Sequence, residues 1–187
     1  MKKYQIILAD PPWEYTKGFP TQSRTPGKWS GKIKTKAIPY PTMTVEEICS
    51  LQIDILADKN CRLFLWTTNR YLPFSFKVME EWGFQYKQTL VWHKSDGNMG
   101  GSVAPNSAEF LLVGIKGKPK VISKLKSAVW KFPQSKKHSK KPTEFRKMIK
   151  QTSSGKSIEL FAREKTEGWD VWGNEVESDI DLLTENK

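Results

Sequence analysis

The chain has 187 residues, 27% of them charged and 37% hydrophobic, with a formal net charge of +11. That length suits one domain with a sizeable core, expected to span residues 1–187, and leaves little room for a second. No apolar run could span a bilayer, no signal h-region follows Met1, and Cys49 and Cys61 suit reduced thiols, so a cytoplasmic protein without membrane contact is expected.

Ile6-Ile7-Leu8-Ala9 reads as a buried parallel strand, and Pro11-Pro12 stops it. Asp10 therefore stands at the carboxyl end of a strand, where ligands bind in open α/β sheets. Asp10-Pro11-Pro12-Trp13 combines a carboxylate, a rigid turn and a broad aromatic face. A flat base with an exocyclic amino group calls for those three. The Asp10 oxygen accepts one amino hydrogen, the Pro11 carbonyl accepts the other, and Trp13 stacks. A capping Asp before a proline stop is the plainer alternative. The whole tetrapeptide after a hydrophobic strand favours the binding reading.

Glu14 to Pro41 is rich in Gly, Pro, Ser, Thr and Lys, and reads as a mobile substrate-binding loop. Thr44 caps a short helix, with Glu47 closing a capping box. Arg62–Trp66 is a second strand, Pro73–Trp82 a helix stopped by Gly83, and Thr89–Trp92 a third strand. Lys94 to Asn106 is a candidate lid, and Glu109–Ile115 a fourth strand. Pro142 opens a helix to about Lys150, with Phe145, Met148 and Ile149 on one face. Ser157–Phe161 and Gly168–Trp172 are the last strands. Strands alternating with helices indicate an α/β fold with a mostly parallel sheet.

Charge is unevenly spread. Lys116 to Lys156 holds 14 basic residues and one acid, Glu144, so the rest of the chain is close to neutral. A second cluster, Lys28, Lys32, Lys34 and Lys36, lies in the first long loop. A one-sided excess of this size fits a polyanion, with nucleic acid the usual one and a solvated face the alternative. Lys118, Lys120, Lys124 and Lys126 are the candidate phosphate contacts. Gly155-Lys156-Ser157 imitates a phosphate loop but precedes its strand and lacks the leading glycine. Cys49, Cys61, His93 and His138 have no metal-ligand spacing, so no metal is expected.

A set of short stretches runs from end to end of the chain. They are Ala9-Asp10-Pro11-Pro12-Trp13, Pro39-Tyr40-Pro41-Thr42-Met43, Leu63-Phe64-Leu65-Trp66 and Val91-Trp92-His93-Lys94. Further on come Glu109-Phe110-Leu111-Leu112-Val113-Gly114, Ser139-Lys140-Lys141-Pro142, Ile158-Glu159-Leu160-Phe161-Ala162-Arg163 and Trp172-Gly173-Asn174. In these stretches, taken in order, the chain resembles the S-adenosylmethionine-dependent N6-adenine methyltransferases, and more narrowly the family named for the seventy-kilodalton catalytic subunit of the mRNA adenosine methyltransferase. The resemblance implies a Rossmann-like methyltransferase fold with permuted motif order, the catalytic turn preceding the cofactor segment. It implies S-adenosylmethionine held by Asp10, Lys141, Arg163 and Thr166, with Asn174 and Glu175 at the ribose. Glu159 is either a further cofactor contact or a strand-end acid paired with Arg163. The glycine-rich motif of bacterial adenine methyltransferases is replaced here by Leu160-Phe161-Ala162-Arg163.

The resulting expectation is methyl transfer to N6 of adenine, with Asp10, Pro11, Pro12 and Trp13 as the catalytic turn. The base must be flipped or already unpaired, and Tyr40, Trp13 and Trp92 could sandwich it. Trp66 and Trp92 are either base contacts or core residues, and Lys94 and Glu109 fall on the substrate side. DNA is favoured over RNA. An RNA methyltransferase and an inactive nucleic-acid-binding subunit are the alternatives, and a homodimer or heterodimer stays open.

Overall fold

The computed structural model describes residues 2–14, 41–94, 103–135 and 140–182. Seven strands form one sheet: β1 (Tyr4–Ala9), β2 (Ala57–Thr67), β3 (Gln85–Lys94), β4 (Ala108–Lys116), β5 (Val129–Phe132), β6 (Ser157–Leu160) and β7 (Asp170–Trp172), in the order β5-β3-β4-β2-β1-β6-β7. β1 lies at the centre, pairing in parallel with β2 (Ile7 beside Leu63) and with β6 (Ile7 beside Ile158). β4 alone runs against its neighbours, antiparallel to both β2 and β3, while β5 is parallel to β3 and β7 to β6. The sheet is therefore mostly parallel. The expected strands are present, most of them longer than the apolar runs suggested.

Alternation along the strands divides the core into two layers. Ile7, Ala9, Leu63 and Leu65 face α1 (Val45–Cys49), a short 3-10 turn at Ile53–Ile55 and α2 (Leu72–Glu81). Ile6, Leu8, Phe64 and Trp66 face α3 (Glu144–Thr152), which presents Phe145, Met148 and Ile149. The capping box forms as read: Glu47 N–H donates to Thr44 Oγ1 at 3.1 Å, and Thr44 N–H donates to Glu47 Oε2 at 2.7 Å. Trp82 Nε1 donates to the Ile48 carbonyl at 2.9 Å, tying α2 to α1.

β5 lies inside the basic stretch, where no strand was expected. It has four residues, and Val129 and Lys131 face outward, so its apolar signal is only Trp130 and Phe132. The parallel strands end together. Asp10, Thr67, Lys94, Phe161 and Gly173 meet along one edge, and because β4 is reversed, its beginning brings Glu109 there as well.

Candidate active site

The turn after β1 is fixed by backbone bonds. Met43 N–H donates to the Pro12 carbonyl at 2.8 Å and Glu14 N–H to the Met43 carbonyl at 3.0 Å, so the turn is clamped by the chain that re-enters at residue 41. The Pro11 carbonyl accepts from Trp13 N–H at 2.9 Å, which occupies one of its two lone pairs. Trp13 is buried. It stacks on Tyr71 with ring centres 5.1 Å apart, and its Nε1 donates to the Trp66 carbonyl at 3.3 Å. One of its faces is thus taken by a side chain.

Four charges alternate in sign along the strand-end edge. Lys141 Nζ, reached from the segment leading into α3, donates to both Asp10 oxygens at 2.9 and 2.8 Å. The same ammonium lies 3.3 Å from Glu109 Oε2, and Glu109 in turn pairs with Lys94. Lys141 also stands over the Trp66 ring and Lys94 over the Trp92 ring. Desolvation, opposed by Lys141, lifts the Asp10 carboxyl above its ordinary range. Burial works against the Lys141 charge, but Asp10 and Glu109 outweigh it and hold the ammonium firmly protonated. Burial likewise opposes the Glu109 charge, and Lys141 and Lys94 keep that carboxyl below its usual value.

Beside this chain of charges a cleft of about 350 Å3 opens on the α3 side of the sheet. Its size falls within the roughly 300–1,000 Å3 of small-molecule sites. Leu8, Trp66, Phe145 and Phe161 supply the apolar lining, and Asp10 and Lys141 one polar wall. The opposite rim is built of ion pairs. Arg146 grips Glu159 through two bonds of 2.7 Å, Lys140 meets Glu164 at 2.8 Å, and Arg163 meets Glu175 at 2.6 Å. Phe161 has φ 60°, a left-handed conformation costly for a side chain of its size, and so turns the chain sharply where β6 ends.

Of the residues singled out from sequence, Asp10, Trp66, Lys141, Glu159, Arg163 and Glu175 line this one cleft. The pairing suggested for Glu159 is corrected: its partner is Arg146, while Arg163 bonds Glu175. Asn174 is exposed beside Glu175, and the Thr166 carbonyl accepts from Trp169 N–H, shaping the turn into β7; neither lines the cleft. Trp92 is buried behind Trp66, edge-on at 6.2 Å, with its Nε1 bonded to the Phe132 carbonyl. Lys118 and Lys120 emerge at the opposite end of the sheet, where Lys118 N–H donates to Asn60. Lys124 and Lys126 follow on the same loop, and none of the four lines the cleft. Tyr40, the lysines between 28 and 36, and residues 95–102 lie outside the described residues.

Sequence reasoning missed Arg146, Lys140, Glu164 and Phe161. Arg146 had a signal: it follows Phe145 in the first turn of the amphipathic helix, on the border of the buried face. Among the described residues no group of His, Cys, Asp or Glu is placed to hold a metal ion, and no helix is long and apolar enough to cross a membrane.

A family model described as MT-A70 matches residues 4–175. The chain is 32% identical, over its whole length and 84% of the relative's, to the Type II methyltransferase M.MunI of a Mycoplasma species. It is 27% identical to the N(6)-adenosine-methyltransferase catalytic subunit METTL3 of Homo sapiens and 28% identical to the METTL3 subunit of Danio rerio. In each case 97% of this chain is covered but only 29% of the relative, so it spans under a third of those proteins.

Proposed function

Because this chain belongs to the MT-A70 family, we propose that it is an S-adenosylmethionine-dependent methyltransferase acting on N6 of adenine in DNA. The observation that carries the reading is the Asp10 carboxylate, set where the Asp-Pro-Pro-Trp turn meets the cleft and bridged by Lys141. The cleft residues fit the cofactor's chemistry. An amino-acid zwitterion needs an anion for its ammonium and a cation for its carboxylate, and Asp10 and Lys141 offer both side by side. A partly apolar lining suits an adenosyl group, and Glu175 at the rim can accept from ribose hydroxyls. When bound, the cofactor supplies an electrophilic methyl group on a sulfonium.

The protein's own task is alignment. The adenine amino lone pair is delocalised into the ring, which makes N6 a weak nucleophile. An Asp10 oxygen accepting one amino hydrogen, with the free lone pair of the Pro11 carbonyl accepting the other, favours a pyramidal nitrogen whose lone pair faces the methyl. Glu109 draws on Lys141 from the far side, so Lys141 can leave Asp10 for a ligand carboxylate without being stranded. Lys94 then keeps Glu109 paired.

DNA is favoured because the match to a Type II methyltransferase spans most of both lengths. Relatives named for adenosine favour a ribonucleoside, which makes RNA the second reading. Incubation with tritium-methyl S-adenosylmethionine and matched DNA and RNA oligonucleotides, followed by nucleoside mass spectrometry, tests both. N6-methyldeoxyadenosine is the expected product. Label on cytosine, or on neither nucleic acid, contradicts the proposal.

A further inference from the structure

The segment from Gly117 to Ala128, joining β4 to β5, leaves the sheet at the end opposite Asp10. Lys116 pairs with Cys61, whereas Phe110 pairs with Thr67 at the cleft end. Lys118 is fixed to Asn60, seven residues before Thr67, which places it about 23 Å from the cleft edge at roughly 3.3 Å per strand residue. The loop is pinned at several points. Besides the bond to Asn60, Arg62 donates to the Pro119 carbonyl at 3.2 Å, Ile122 N–H to the Thr152 carbonyl at 3.0 Å, and Val91 N–H to the Ala128 carbonyl at 2.7 Å. Arg62 is only 6% exposed, and its other acceptors are the Thr152 carbonyl and Ser153 Oγ. Among the described residues Arg62 has no carboxylate partner, a costly state for a buried cation, and it fastens the loop to the end of α3.

What the loop presents is out of keeping with a spacer. Val121 and Ile122 are 53% and 61% exposed at its tip, between exposed Lys118 and Lys120 on one side and Lys124 and Lys126 on the other. Ten lysines and no acid lie between Phe110 and Thr143, and no ion pair is formed by these four among the described residues. We propose that this loop is a second nucleic-acid contact outside the cleft, reaching from the far end of the sheet at Lys118 back to the level of Val91 at Ala128: its lysines grip backbone phosphates while Val121 and Ile122 press apolar surface against the groove. The inference rests on reading the protein as acting on nucleic acid. Phosphate contacts position a duplex without reading its sequence, and short apolar wedges commonly accompany them. At about 3.4 Å per base pair, the distance from the Lys118 end of the loop to the cleft edge matches roughly seven base pairs of duplex. An anionic lipid surface shares the cation-and-apolar chemistry, but a loop pinned through its backbone cannot form the amphipathic helix that lies in such an interface.

A charge-matched comparison tests it. Lys120→Gln/Lys124→Gln alters the loop, and Lys77→Gln/Lys87→Gln removes the same charge from exposed positions on α2 and β3. Binding of a random-sequence duplex of about 30 base pairs, long enough at about 3.4 Å per pair to reach both places, is followed by fluorescence anisotropy across a salt series. The loop variant is expected to lose about tenfold in affinity and to lower the log–log salt slope by about 1.8, at about 0.9 per contact. The control variant should match wild type. Equal behaviour of the two variants overturns the loop contact while leaving the enzyme reading intact. Failure of wild type to bind any nucleic acid overturns the underlying reading as well. Loss of binding to phosphatidylserine vesicles by the loop variant, with duplex binding unchanged, assigns the loop to a membrane and also overturns the inference.

Discussion

Lys141 is the residue on which the site turns, since it is shared between Asp10 and Glu109 at 2.8 and 3.3 Å. Lys141→Ala removes the cation expected to meet the cofactor carboxylate and leaves two partly buried carboxylates without it. Loss of a charge-assisted bond of about 1.5–3 kcal/mol should weaken S-adenosylmethionine binding roughly 10- to 150-fold. Isothermal titration reads this directly, and an unchanged dissociation constant contradicts the assignment. Glu109 makes a separate prediction through pH. Burial raises the Asp10 carboxyl, and the negative charge of Glu109 adds to that rise. If ionised Asp10 is the active form, activity falls as pH drops through a value above the ordinary ~3.9. Glu109→Gln removes the repulsion and frees Lys141 for Asp10, so the acid limb of the kcat profile should move to lower pH. A limb that stays in place, or rises, excludes Glu109 from this role.

Among the elements, α3 links stability to the site. Phe145 is 1% exposed, meets Trp66 edge-on at 4.9 Å and Phe132 at 5.5 Å, and also lines the cleft. Phe145→Ala should cost about 3–5 kcal/mol in chemical denaturation, the range for truncating a packed aromatic. At the sheet's other edge, Gly173 crosses so close to Ala162 that a Cβ would collide with that residue's backbone. Gly173→Ala should therefore displace Asn174 and Glu175, costing about 1–3 kcal/mol and weakening cofactor binding together with thermal stability. These features were unevenly legible. The capping box, the Gly83 stop and the apolar face of α3 follow local rules and were readable residue by residue. The Arg146–Glu159 grip joins a helix to a strand end, and no spacing rule announces a pair formed by packing. Lys94 and Glu109 could be placed on the substrate side, but their contact depends on which way β4 runs.

For the molecule as a whole, the alternation of strands and helices was enough to read a mostly parallel α/β sheet. Topology was harder, because nothing in the apolar run of β4 tells which way the strand runs, and β5 leaves little trace in the lysine-rich stretch that holds it. Acidic side chains gather on one face of the sheet and basic ones on the other, with Lys77 on α2 and Glu144 on α3 as exposed exceptions. Exposed Glu46, Glu47, Asp54, Glu80 and Glu81 lie on the α1–α2 side, whereas the loop lysines and Lys147 lie on the α3 side where the cleft opens. That polarity steers a polyanion to the cleft side and away from the other, and the attraction should weaken as salt screens it. The central claim is that Asp10 aligns the amino nitrogen for transfer. Single-turnover methyl transfer to adenine-containing duplex DNA, at saturating S-adenosylmethionine, compares wild type with Asp10→Asn most directly. An amide is a weaker acceptor and brings a competing donor, so the account predicts a rate lower by about 10²–10⁴-fold with the fold retained. Equal rates for the two proteins would contradict it.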